Sequence, residues 1–204
     1  MLTLRIVFLW LVMAGPVWAT PTLLILGDSL SAGYGLDAGQ SWVDQLAPEL
    51  RTNVGVDVQI LNASISGETT AGGLSRLPGL LVRHQPEYVL IALGANDGLR
   101  GLPLTGLKEN ILRMITLVRD SGATPLYAAI ELPRNYGGPY TRAFRATQDA
   151  IANDTQIAYL PFLLEPVALT RSYFQEDGLH PTAAAQPLIA AHVTEFLQAS
   201  VFAK

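Results

Sequence analysis

The 204-residue chain contains no cysteine. That excludes disulfides, thiolate nucleophiles and zinc–thiolate sites, and it leaves no cysteine for a lipid anchor. Charge is sparse too: 13 Lys and Arg stand against 17 Asp and Glu, a net charge of −4, with no basic cluster. A mildly acidic chain of this kind argues against nucleic acid as a partner and against electrostatic adhesion to anionic lipid. Nowhere do ~20 apolar residues run together, the length a membrane-spanning helix needs. Histidine occurs only three times, at 84, 180 and 192, and never as His-x-x-x-His. Asp28, Asp97, Asp177 and His180 are the only set that could gather around a metal, and no ligand spacing supports it. Gly94-Ala95-Asn96-Asp97-Gly98 lacks the Gly-x-Gly-x-x-Gly spacing of a dinucleotide cradle.

What is present begins with an export leader. Arg5 supplies a short basic start, and residues 6–14 are uncharged and apolar. Gly15 and Pro16 break the run, and Val17-Trp18-Ala19 offers small residues at the cleavage positions. Residues 1–19 therefore read as a cleaved signal peptide, too short for a stable anchor. Residues 20–204 remain as a single domain with a sizeable core, carrying 12 basic and 17 acidic side chains.

Short apolar runs alternate with longer amphipathic ones. Thr22–Leu26, Tyr88–Leu93 and Pro125–Ile130 are continuous and apolar, as strands buried on both faces are. Val56–Leu61 alternates more and suits an edge, and Ile157–Leu163 is a fifth strand that Pro161 cuts short or holds at an edge. Between them, Leu104, Leu107, Ile111, Met114 and Val118 make a helical stripe closed at Ser121-Gly122. Trp42, Leu46 and Leu50 predict a helix before the second strand. Leu74, Leu77, Leu80 and Leu81 predict one before the third, with Pro78 blurring its boundary. Residues 140–153 predict another helix. Thr182 is expected to cap a last one, carrying Leu188, Ala191, Val193 and Phe196, with Pro187 kinking it or marking a later start. Such alternation predicts a parallel sheet with helices on both faces. Ligands bind at the carboxyl ends of such strands, where Ser29, Gly67 and Asn96 all fall.

Ser29 sits where the first strand turns into a helix, in Gly27-Asp28-Ser29-Leu30. Asp177-Gly178-Leu179-His180 brings a carboxylate within reach of an imidazole. Nucleophile, base and orienting acid are the three groups serine acyl transfer needs. His84 and His192 compete as base, but neither has a suitably placed acidic neighbour. An oxyanion needs donors, and the Ser29 N–H, the Gly67 N–H and the Asn96 side-chain amide supply three. Asp97 is expected to brace its loop through backbone N–H groups.

These blocks resemble the SGNH, or GDSL, hydrolase family. Its four marker residues match Ser29, Gly67, Asn96 and His180 in order. LLILGDSLSAGYG, NASISGET, RLPGLL, GANDGLRG, ELPRNYG and DGLHP look like its thioesterase I, arylesterase and lysophospholipase subgroup. The resemblance covers the chain after the leader. It implies a flavodoxin-like three-layer α/β/α sandwich with a central, mostly parallel five-stranded sheet. It implies Ser29 as nucleophile, His180 as base, Asp177 as orienting acid, the three-donor oxyanion hole and no cofactor. Ala95 stands where close relatives often have Gly, a methyl group that narrows the acyl site slightly.

The expected partner is a small-molecule or lipid acyl ester: an aryl ester, an acyl thioester or a lysophospholipid. Export points to the periplasm, with the medium as the alternative, and a monomer is the default. Leu77, Pro78, Tyr136 and Leu179 fall in loops expected to border the site, either as an acyl groove or as packing. Two other readings remain: a carbohydrate acetylesterase of the same fold, and a non-catalytic exported binding module.

Overall fold

The computed structural model describes residues 20–203; the leader assigned to residues 1–19 lies outside them. Five strands form one all-parallel sheet: β1 (Thr22–Gly27), β2 (Gln59–Asn62), β3 (Tyr88–Ala92), β4 (Thr124–Ala128) and β5 (Ala158–Leu160), in the order β2-β1-β3-β4-β5. Leu23 to Leu26 are wholly buried, because β1 lies inside the sheet and is covered on both faces. Leu24 registers with Leu61 on one side and Val89 on the other. Pro125 is tolerated in β4 because pairing with β5 starts only at Leu126↔Ala158, so its missing N–H leaves no ladder bond open there. The fifth strand is shorter than expected and ends before Pro161. The second starts at Gln59 rather than Val56.

The helices are α1 (Ser29–Ala32), α2 (Trp42–Glu49), α3 (Thr70–His84), α4 (Ala95–Leu99), α5 (Leu104–Asp120), α6 (Gly138–Thr155) and α7 (Gln186–Ser200). The β1-to-β2 crossover runs one way across the sheet, and the later ones run the other way. Right-handed connections then put α2 and α7 on one face and α3, α5 and α6 on the other. The packing agrees, α2 against α7 and α5 against both α3 and α6. Divergence of the chain between β1 and β3 opens a crevice at their carboxyl ends, the usual ligand position in such sheets.

Two expectations need correction. Helix α3 runs straight through Pro78, which sits on its exposed side, while Leu77 is fully buried in the core. The last helix begins later than Thr182: Pro187 occupies its first turn, and Thr182 makes no capping bond. Its buried face is Ile189, Ala190, Val193 and Leu197, whereas Leu188 is partly exposed. The stretch is so rich in alanine that its apolar period is weakly marked.

Candidate active site

Asp28 caps α1: its carboxylate accepts from the Leu30 N–H at 3.0 Å, so Ser29 becomes the first helical residue. Gly27 is needed beneath it, since a Cβ there would meet Ser31 Oγ at 2.7 Å and Ser64 Oγ at 2.9 Å. The wholly buried Trp42 fixes the same turn by donating its indole N–H to the Leu30 carbonyl at 3.1 Å. Ser29 Oγ lies 2.8 Å from His180 Nε2. On the other side of the ring, Nδ1 is 2.7 Å from Asp177 Oδ2. Asp177 Oδ1 accepts from the N–H groups of Leu179 at 2.8 Å and His180 at 3.0 Å. Slight burial pushes the Asp177 carboxyl up, but these hydrogen bonds outweigh it and pull it down to about 2. It is therefore an acceptor at every working pH, which assigns the ring proton to Nδ1 and leaves Nε2 free to accept from Ser29. Residues 173–182 carry both groups as a hairpin-like loop, closed by the Phe174↔Pro181 bridge. The ring of Tyr34 lies against His180, with centroids 4.4 Å apart.

Gly67 has φ +79, left-handed backbone that favours glycine. Neither its N–H nor that of Ser29 has an accepting partner among the described residues. Asn96, in the first turn of α4, donates from Nδ2 to Asp28 Oδ2 at 3.3 Å and keeps a second N–H free. Asp28 is buried, which pushes its carboxyl up to about 6 against the hydrogen bonds from Leu30 and Asn96 and the nearby His180. Asp97 braces the site from behind, accepting from the Thr70 N–H at 2.8 Å and the Thr70 hydroxyl at 2.6 Å. Asp97 thus ties α4 to the start of α3, and among the described residues no three acidic or imidazole side chains gather as around a metal.

Ser29, Gly67, Asn96, His180 and Leu179 all line one open cavity of about 920 Å³. Its wall is mainly apolar, formed by Ile130, Leu132, Phe162, Leu164, Phe174 and Leu179. Gln148 holds the Ile130 stretch in place, bonding both its N–H and its carbonyl, at 3.1 and 2.9 Å. Of the four expected groove residues, Leu179 alone lies on the wall. Leu77 is core and Pro78 faces outward, both on α3. Tyr136 stands beside the wall and donates its hydroxyl to the Leu99 carbonyl at 3.2 Å. Sequence reasoning gave Tyr34 no role, although it lies within the block LLILGDSLSAGYG. It also missed the wall from Phe162 to Phe174, of which only Phe162 falls in the strand expected from the sequence. His84 ends α3, away from the carboxyl edge of the sheet. His192 does have an acidic neighbour, Glu165 at 3.8 Å, a contact invisible in sequence, and its Nε2 lies 3.1 Å from the Phe162 carbonyl.

Residues 25–187 match the model of the GDSL-like lipase/acylhydrolase family. An arylesterase of Vibrio mimicus is 46% identical over 179 residues, 88% of this chain and 89% of the relative. Thioesterase 1/protease 1/lysophospholipase L1 of Escherichia coli K12 is 43% identical over 180 residues, 88% of this chain and 85% of the relative. Among solved structures, the esterase EstA of a Pseudoalteromonas species, inhibited by monoethylphosphonate, superposes with a TM-score of 0.83 at 38% identity. The superposition covers 87% of this chain and 97% of that one.

Proposed function

The chain belongs to the GDSL-like lipase/acylhydrolase family and is an ester-bond hydrolase, and we propose that it works through Ser29, His180 and Asp177 by an acyl-enzyme intermediate. Ser29 Oγ attacks the acyl carbonyl carbon as His180 Nε2 takes its proton. The Ser29 and Gly67 N–H groups and the Asn96 amide receive the charge that develops on the carbonyl oxygen. As the tetrahedral intermediate collapses, the leaving alcohol or thiol takes the proton from His180. Water then attacks the acyl-serine and gives its proton to the same nitrogen, and release of the acid restores the site. His180 must be neutral to take that proton.

The observation that carries this reading is the unbroken chain from Asp177 through His180 to Ser29, at 2.7 and 2.8 Å, ending at the cavity. A binding module has no use for that chain. The inhibition of EstA by a phosphonate suits a serine nucleophile in the shared fold. A mainly apolar cavity of about 920 Å³ exceeds what an acetyl group fills, which favours medium or long acyl chains over acetylated carbohydrate. Names of the relatives extend the expected substrates to aryl esters, acyl thioesters and lysophospholipids. Residues 1–19 act as an export leader, residues 20–204 as one hydrolase domain, and the enzyme works as a periplasmic monomer.

The test is hydrolysis of p-nitrophenyl esters from acetyl to palmitoyl, beside an acyl-CoA and a lysophospholipid, by wild type and Ser29→Ala. Turnover of chains longer than acetyl, lost at least 10³-fold in the variant, is the expected result. Turnover that survives the substitution defeats the assignment of the nucleophile, and restriction to acetyl esters defeats the acyl-chain reading.

A further inference from the structure

Arg100 is the first residue past α4 and is exposed, yet it makes no salt bridge among the described residues. Its Nη2 donates instead to the Gly67 carbonyl at 2.8 Å and, at the outer limit of a hydrogen bond, to Asn96 Oδ1 at 3.5 Å. These contacts link two separate stretches of chain, the turn after β2 and the helix after β3. Each stretch carries one oxyanion donor.

The geometry decides how the Asn96 amide faces. A guanidinium can only donate and an ionised carboxylate can only accept. Arg100 therefore holds the amide oxygen, and Asp28 draws the NH₂ at 3.3 Å. One N–H meets Asp28, and the other is left for the cavity. The bond at the Gly67 carbonyl holds the peptide unit that follows Gly67, and so fixes the turn in which Gly67 is left-handed. Arg100 Nη2 is also the one atom that a Cβ on Gly67 would approach, at 3.5 Å. From the far side, the hydroxyls of Tyr140 and Tyr136 donate to the carbonyls of Gly98, at 3.0 Å, and Leu99, at 3.2 Å. Helix α4 is thus secured at its C-terminal end, and Arg100 ties it to the neighbouring turn. Arg100 is not part of the cavity wall, so it acts on substrate only through the donors.

We propose that Arg100 is a positioning residue of the oxyanion site, fastening the Gly67 turn to α4, fixing the orientation of the Asn96 amide and polarising its N–H donor. The proposal rests on the reading of Ser29, Gly67 and Asn96 as that site. Donors act most strongly on charge present in the tetrahedral state and absent from the ground state. Loss of Arg100 therefore reduces kcat and spares KM.

The experiment compares wild type with Arg100→Gln, Arg100→Lys, Asn96→Ala and the Arg100→Gln/Asn96→Ala double variant. Melting curves of each establish that it is folded. The readings are kcat and KM for p-nitrophenyl octanoate, inhibition by octylboronic acid and inhibition by octanoate. The boronic acid forms a tetrahedral adduct on Ser29, and octanoate stands for the ground state. In Arg100→Gln we expect kcat and boronate affinity to fall together about tenfold, with KM and octanoate affinity within twofold. Lysine keeps one charged donor and recovers part of the loss. In the Asn96→Ala background Arg100→Gln costs less than half as much, because part of its target is gone. Unchanged kcat, an equal loss of octanoate affinity, or full additivity with Asn96→Ala overturns the proposal. Ser29→Ala, assayed alongside, keeps the two readings separate. If that variant is inactive while Arg100→Gln matches wild type, the positioning role alone fails. If it is active, the underlying site is wrong.

Discussion

Asp28 and Asp177 stand on either side of the same serine and are driven in opposite directions. Asp28 is almost wholly buried, and its carboxyl is pushed up to about 6 by that burial, which overcomes hydrogen bonds from Leu30 and Asn96. Asp177 is exposed at the tip of its loop; desolvation pushes its carboxyl up, but the hydrogen bonds from His180 and Leu179 together outweigh it and pull it down to about 2. Both are 3.8 in an ordinary setting. The difference lies in what surrounds the charge: apolar sheet ends around one, converging N–H groups around the other. It also sets opposite dependences of stability on pH. Asp177 stabilises the fold above about pH 4, and that contribution is lost as pH falls through about 2. Asp28 binds its proton more tightly in the folded state, so stability falls as pH rises from about 4 through about 6 and levels off above that. A buried charge held at such a cost belongs to function: it orients the Asn96 amide.

The largest effect expected from breaking this pair comes from Asp177→Asn. An amide in place of the carboxylate can present N–H to Nδ1 and favour the wrong imidazole tautomer. With the proton on Nε2, His180 cannot accept from Ser29. We expect kcat to fall on the order of 10³–10⁴ with KM nearly unchanged, read from steady-state rates on a p-nitrophenyl ester. A loss below tenfold would show that the carboxylate does not set the tautomer.

Asp28→Asn should split stability from activity. Removing the buried charge relieves a penalty of at most about 3 kcal/mol, the value of a two-unit displacement. We expect the melting temperature at pH 8 to rise by a few degrees and that at pH 4 to stay within a degree, where wild-type Asp28 is already protonated. Over the same change kcat falls roughly tenfold, because the Asn96 amide loses its anionic anchor. A gain in melting temperature of equal size at both pH values would mean that ionisation of Asp28 is not its source.

How much of this was legible depends on distance along the chain. Asp28 bonds Leu30 and Asp177 bonds His180, partners two or three residues away, so these motifs are local and their spacing is informative, whereas Ser29 and His180 meet only through the fold, 151 residues apart. The parallel sheet was legible as well, because strands buried on both faces leave unbroken apolar runs. The cavity wall was not. It joins Ile130 to the stretch from Phe162 to Phe174, elements that meet only after β4 and β5 pair. Leu77 and Pro78 misled because proline suggested a loop. The stripe Leu74, Leu77, Leu81 already placed Leu77 on the inner face of a helix, and Pro78 is accommodated on the outer one. Arg100 carried no signal, since its partners are main-chain and amide oxygens that no residue pattern marks.

The smallest effect tests how firmly the two sides are held. The serine side is anchored in the core through β1 and the indole of Trp42, whereas the His180 loop is held at the surface by hydrogen bonds, three of them from Arg171 to the Phe174, Gln175 and Glu176 carbonyls. Two more come from Gln175, whose Nε2 donates to the Tyr34 carbonyl at 2.8 Å and the Pro181 carbonyl at 3.0 Å. Its side chain also packs on Gly35, so one amide joins the loop after α1, with Tyr34 against the imidazole, to the loop that carries His180. Gln175→Leu keeps approximate volume and removes both donors. We expect a loss of two- to fivefold in kcat, faster amide hydrogen exchange across residues 173–182, and unchanged exchange in β1. The triad bonds themselves remain, so the loop reaches its working position less often without losing it. If Gln175→Leu instead cost as much as Asp28→Asn, the loop would be no looser than the serine side. Its exposed carboxylate would then owe its low affinity for protons to rigid support from the whole molecule, and not to the three bonds around it.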